Sequence, residues 1–146
     1  MTALAVIMFI VLGAIAAVHL AWAFGVHWPA RSERELVALA VGRKGQTRMP
    51  TPLQCIAAAT AIFVAGLWAL GLAGLKALPF EPDVIRIAGV AIVIIFALRG
   101  VATYLPGWRR RFDQEPFATM DRNWYGPLCL LFAVMFAVLV INRFGA

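Results

Sequence analysis

Four stretches of this chain, residues 3–25, 53–75, 84–105 and 124–141, run for close to twenty residues each with few or no charges. A helix needs about 20 apolar residues to cross ~30 Å of hydrocarbon. Backbone in lipid has no water to bond, so each run must satisfy its own N–H and C=O groups as a helix. The pattern therefore predicts an all-α, four-helix transmembrane bundle, one membrane domain over residues 1–146. The last run is the shortest; Trp124 and Tyr125 stand at its start as interface residues, and Asn142 and Arg143 end it.

Composition agrees: 63% of residues are hydrophobic and 14% charged, against about 25% charged in soluble domains. The net charge of +6 would suggest nucleic acid in a soluble chain. Here the basic residues lie between apolar runs, where they act as topology determinants and contacts for anionic lipid. Membrane lipids, and no nucleic acid, are the expected partners, with a homo-oligomer or a larger membrane complex left open. Residues 26–52 carry Arg31, Arg34, Arg43, Lys44 and Arg48, and residues 106–123 carry Arg109, Arg110, Arg111 and Arg122. Only Lys76, Arg86 and Arg143 fall toward the other side. That bias predicts both long loops in the cytoplasm, both termini outside, and a multi-pass protein of a bacterial inner membrane. Ala21-Trp22-Ala23 has the small-x-small form of a signal-peptide cleavage site. No Lys or Arg precedes Arg31, however, and the apolar run exceeds the usual ~7–15 residues, so the first run is expected to stay as a membrane helix.

The first long loop carries its own helix signals. Ser32-x-x-Glu35 is a capping-box pattern and Gly42 a candidate stop. Between them Leu36, Leu39 and Ala40 share a face, with Arg34 and Arg43 placed to meet phosphates. This predicts a short interfacial helix in the first cytoplasmic loop. Asp83 is the expected cap of the third spanning helix. Rows of small residues, Gly13, Ala17, Ala21 and Gly25 in the first run and Ala57, Ala61, Ala65, Ala69 and Ala73 in the second, mark faces where helices could approach closely.

Polar groups gather toward one end of the predicted bundle. His19 lies six residues before Gly25, and Arg99 six before Leu105, so each sits ~9 Å inside its helix end. Trp22, Trp28, Tyr104, Asp121, Arg122, Tyr125, Cys55 and Cys129 fall in the same layer. An arginine inside a span is costly, and two arrangements relieve it. Arg99 can snorkel to the surface, or it can pair with Asp121 or with tyrosine and backbone oxygens in a buried cluster that also engages His19. The candidate cluster is His19, Trp22, Arg99, Tyr104, Asp121, Arg122, Tyr125 and Cys129. His19, His27, Cys55 and Cys129 have ligand chemistry but no ligand spacing, so no metal and no cofactor is expected. The two cysteines read as small buried hydrophobes. Trp22, Trp28, Trp108 and Trp124 stand near helix boundaries as anchors, and Arg109, Arg110 and Arg111 as lipid-headgroup contacts.

The segments HLAWAFGVHWP, ELVALAVG, Leu98-Arg99-Gly100 and DRNWYGPLCL resemble a family of small bacterial four-span membrane proteins catalogued as a domain of unknown function. Its markers are H-x-x-W-A-x-G at the end of the first helix and Y-x-P-L-C at the start of the fourth. The resemblance covers nearly the whole chain and points to His19, Trp22, Gly25, Trp28, Pro29, Arg99, Gly100, Tyr125, Pro127, Leu128 and Cys129. It implies fold and location but no reaction. The stretch PGWRRRFDQEP departs from the family pattern in being longer and more basic.

Three functions of different class fit. A non-catalytic accessory subunit or binder of a small molecule or lipid needs only the polar layer. A membrane-embedded enzyme on a hydrophobic substrate would use His19 as proton carrier and Arg99 to stabilise charge, though HExxH, GxSxG and P-loop motifs are absent. An oligomeric transporter is disfavoured, because Glu33, Glu35, Glu81, Asp83, Asp113, Glu115 and Asp121 all fall in loops or at boundaries and the outer half offers no polar path.

Overall fold

The computed structural model describes residues 1–145, all helical apart from turns and connections. Its elements are α1 (Thr2–Ala23), α2 (Glu33–Ala40), α3 (Pro52–Leu72), α4 (Pro82–Ala102), α5 (Pro106–Arg111), α6 (Phe117–Met120), a π-helical turn (Asp121–Tyr125) and α7 (Gly126–Phe144). The π turn joins α6 to α7, so Phe117–Phe144 is one 28-residue helix. With α1, α3 and α4 it makes four helices long and apolar enough to cross a membrane. The last helix thus starts at Phe117, seven residues before the expected Trp124. The polar sequence DRNWY lies inside it rather than in a loop.

The helices associate as two antiparallel pairs. In the first, Phe9 of α1 meets Phe63 of α3 with ring centroids 5.9 Å apart. In the second, Phe96 of α4 lies against Phe132 and Phe136 of α7. Residues from all four long helices meet in one core that includes Met8, Leu12, Trp68, Leu72, Ile85, Phe132, Phe136 and Leu139. Lipid is as apolar as these side chains, so contact area and interhelical hydrogen bonds hold the pairs together. The buried face of α1 is Ala5, Met8, Leu12 and Ala16, a 3- and 4-residue spacing. It is not the row Gly13–Ala17–Ala21–Gly25, of which Ala17 and Gly25 are exposed. On α3 only the latter part of the expected alanine row is at the interface: Ala65 and Ala69 are buried, Ala57 and Ala61 exposed.

At the short-loop end two polar side chains fasten helix ends to neighbouring backbone. Trp68 Nε1 donates to Ile85 O at 3.1 Å, and Arg143 Nη1 donates to Gly71 O at 2.8 Å. Asp83 is not the cap of α4: the N-cap is Glu81, without a side-chain bond, and Asp83 pairs with Arg86 one turn on at 2.9 Å.

At the opposite end the long first loop folds back over the bundle. Ser32 caps α2 by accepting from Glu35 N, while Glu35 reaches back to Arg31 N instead of Ser32 N, at 3.0 Å. The capping box is therefore offset by one residue. The apolar side of α2 turns into the protein: Leu36 is fully buried and Val37 nearly so. Gly42 ends the helix with φ +63°, and a Cβ there would fall 2.1 Å from the Phe117 ring. Both the left-handed backbone and the ring demand glycine at this point. Further ties are Glu33 Oε1 accepting from Met49 N (3.0 Å), Gly42 O accepting from Gln114 N (3.3 Å) and a Lys44–Asp113 ion pair (3.9 Å). The first and second long loops are thus one docked layer.

Candidate functional site

The long-loop end contains two neighbouring polar features, separated by the Phe112 ring, which lines both.

The first is built around Asp121, on the π turn. Pro127 follows two residues after that turn; it has no N–H to donate, and in an α-helix its ring would crowd the Asn123 carbonyl. The π turn, closed by Gly126 N–H on Asp121 O, accommodates the proline and shifts the helix register by one residue, about 100°. Asp121 consequently faces α4 and is only 3% exposed. Its two oxygens have separate donors: Arg99 Nη2 at Oδ1, 2.5 Å, and Trp108 Nε1 at Oδ2, 2.9 Å. Arg99 Nη1 donates to Thr103 Oγ1 at 2.8 Å, and the guanidinium lies over the Trp108 ring, 4.7 Å from its centroid. Two glycines make this approach: a Cβ on Gly100 would meet Leu130 at 2.6 Å, and one on Gly126 would meet Thr103 at 2.9 Å. Tyr104 OH donates to Arg122 O at 3.2 Å. No buried side-chain N or O among the described residues lacks a partner.

From this cluster an aromatic series, Trp108–Phe112–Phe117–Tyr125, runs under the loop layer with successive centroids 4.3, 6.1 and 5.9 Å apart. Tyr125 OH donates to Leu39 O at 3.4 Å, linking the π turn to α2.

The second feature is an open groove of about 440 Å³ between α1, α3 and the loop after α2. It is lined by His19, Trp22, Arg43, Gln54, Cys55 and Ala58, with Met49, Pro50 and Phe112. His19 Nδ1 bonds to Ile15 O at 2.8 Å. A carbonyl only accepts, so Nδ1 carries hydrogen; in the neutral imidazole Nε2 is then an acceptor, and it has no partner among the described residues. The imidazole also lies against Trp22, 4.7 Å between centroids, and Trp22 Nε1 donates to Trp28 O at 2.8 Å. Gln54 Oε1 accepts from Thr51 N at 2.9 Å, which leaves its amide N–H groups for the groove. Cys55 is buried, its Sγ 3.7 Å from Pro50 O.

The expected cluster is therefore divided. Arg99 and Asp121 pair; beside them Tyr104 bonds to the backbone of Arg122, whose side chain is exposed, and Tyr125 is tied to α2. His19 and Trp22 belong to the groove and share no hydrogen bond with Arg99 or Asp121. The pairing of helices decides this: α1 packs on α3, so His19 faces Cys55 and Ala58, whereas Arg99 faces the partner of α4, which is α7. Cys129 is half-buried on α7 and free. Of the two arrangements open to Arg99, the structure has the ion pair rather than snorkelling. Trp108, expected as an anchor, donates to Asp121; Thr103 carries no sequence signal beyond polarity, and Gln54 is marked only by the capping-box pattern Thr51-x-x-Gln54, which the structure forms at the start of α3. Trp28 is 65% exposed, and Arg109, Arg110 and Arg111 are all exposed. No group of three or more His, Cys, Asp or Glu side chains among the described residues could hold a metal ion.

Four helices long and apolar enough to cross a membrane, closed at one end by a docked loop layer, define a polytopic membrane protein. The chain belongs to the family described as protein of unknown function (DUF3995), which it matches over residues 12–136. That range contains the Arg99–Asp121 cluster and the groove in full. No curated protein and no solved structure matches the chain.

Proposed function

We propose that this protein is a non-catalytic binder of an amphiphilic molecule, a lipid or a hydrophobic small molecule with a polar head, received by the groove at its long-loop end. One contrast carries the reading. In the Arg99–Asp121 cluster both carboxylate oxygens and two guanidinium nitrogens are engaged internally, whereas the groove presents His19 Nε2, the Gln54 amide N–H groups and the Arg43 guanidinium without protein partners among the described residues, beside Trp22, Met49, Cys55 and Ala58. Apolar walls with a few convergent polar groups are the usual character of a ligand site, and the volume falls in the usual ~300–1,000 Å³ range. An enzyme that needed Arg99 for developing charge would find that charge already compensated by Asp121.

Native mass spectrometry of the protein extracted from its own membrane tests the reading. A bound amphiphile should be retained, and Ala58→Phe, which fills the groove floor, should reduce its occupancy about tenfold. Bare protein from a folded preparation, or retention unaffected by Ala58→Phe, overturns it.

The bias of nine basic residues in the two long loops against three elsewhere supports placing the groove on the cytoplasmic side of a bacterial inner membrane, with both termini outside. In a chain whose native cysteines are replaced by alanine, a cysteine at position 81 should react with an impermeant maleimide in intact cells, and one at position 44 only after lysis. The reverse pattern would invert the topology.

A further inference from the structure

We infer that the amphiphile is an anionic phospholipid, its phosphate held at the mouth of the groove by Arg43 and the Gln54 amide, with His19 below them. This rests on the binder reading and specifies its ligand. The lining contains no acidic residue. The carboxylates of α2 are already engaged, Glu33 with Met49 N and Glu35 with Arg31 N, and Lys44 answers Asp113. Arg43 has no ion-pair or hydrogen-bond partner for its side chain among the described residues, and Arg34 and Arg48 are exposed on the same loop. The site is therefore positive without internal compensation and rich in donors, which suits a phosphate: guanidinium-to-phosphate bonds are charge-assisted and among the stronger polar contacts.

Depth argues for a lipid over a free anion. Ala58 lies six residues inside the start of α3 and His19 four before the end of α1, so the floor is ~6–9 Å within the helix ends. Ala58 at this depth and Cys55 one turn nearer the mouth offer nothing to a solvated ion, while acyl chains would lie against them. The mouth and floor thus match the two halves of one amphiphile. The loop layer is already tied down by Glu33–Met49, Gly42–Gln114 and Tyr125–Leu39, so binding requires little further ordering of the roof.

The test is native mass spectrometry of the purified protein incubated with phosphatidylglycerol or phosphatidylcholine in mixed micelles, repeated with inorganic phosphate in excess. Phosphatidylglycerol should be retained about tenfold more than phosphatidylcholine. Arg43→Gln should abolish most of that preference, and Gln54→Ala should weaken it. The triple variant R109Q/R110Q/R111Q, which removes three exposed charges outside the groove, should keep it. Arg43 is exposed and has no bonded side-chain partner among the described residues, so R43Q is expected to melt with the wild type; a variant that does not is replaced by Arg43→Lys, which should retain part of the preference. Equal retention of both lipids, or a preference lost in the triple variant but not in R43Q, overturns the inference and leaves the binder reading standing. Displacement of the lipid by inorganic phosphate overturns the commitment to a lipid. Failure to retain any amphiphile defeats both.

Discussion

Asp121→Leu should destabilise the protein by about 3 kcal/mol, read as a lower midpoint of unfolding in detergent, while Arg99→Met combined with Asp121→Leu should stay near wild type. The carboxylate is almost wholly buried and both its oxygens are occupied, by Arg99 and by Trp108. Removing it leaves a guanidinium, 31% exposed, without its counter-ion at the margin of hydrocarbon, and an indole N–H without an acceptor. The cost comes from these stranded groups more than from the lost attraction. Removing both charges takes away the desolvation penalty along with the bond, which is why buried pairs replaced by apolar residues are often neutral. The partial exposure of Arg99 places the single-variant effect at the lower end for such pairs. A double variant as unstable as the sum of Asp121→Leu and Arg99→Met would show that the two residues act independently, contrary to the geometry.

Asp121 also marks the limit of what the amino-acid pattern could convey. Twenty-residue apolar runs are a local property, so all four spans were legible to within a few residues at most ends. Ser32 and Gly42 likewise fixed the ends of α2 through local backbone chemistry. The start of the last helix was not legible, because residues 121–123 read Asp-Arg-Asn and look like loop. They are helical because Arg99, 22 residues earlier, neutralises Asp121 across an interface. The same limit explains His19. Its depth followed from its distance to the helix end, but its neighbours depended on whether α1 packs on α3 or on α7. Rows of small residues do not decide that, and the buried face of α1 proved to be Ala5, Met8, Leu12 and Ala16. Trp108 illustrates a third case. A tryptophan near a boundary satisfies the rule for interface anchors, and only the fold reveals that its N–H is spent on a buried carboxylate.

The second large effect is expected at Gly100. Valine there should lower stability by about 2 kcal/mol, and Gly107→Ala, a change of the same kind on α5, should not. A Cβ on Gly100 meets Leu130 Cγ at 2.6 Å and the Gly126 carbonyl oxygen at 3.0 Å, whereas a Cβ on Gly107 meets nothing within 4 Å. Leu130 can rotate away; the carbonyl of Gly126, the first residue of α7, cannot move without the helix. Leu130→Ala should therefore restore only part of the loss in Gly100→Val. In lipid no hydrophobic drive pushes α4 and α7 together again once they are wedged apart, so close approach is itself the adhesive. The wedge sits one residue from Arg99, and separating the helices there also draws the guanidinium from Asp121. The two lesions thus share a consequence, and Gly100→Val with Asp121→Leu should cost less than the sum of the single variants, by at least about 0.5 kcal/mol. Strict additivity would mean that the glycine contact and the ion pair hold α4 to α7 separately, and that the polar cluster does not depend on the close crossing beside it.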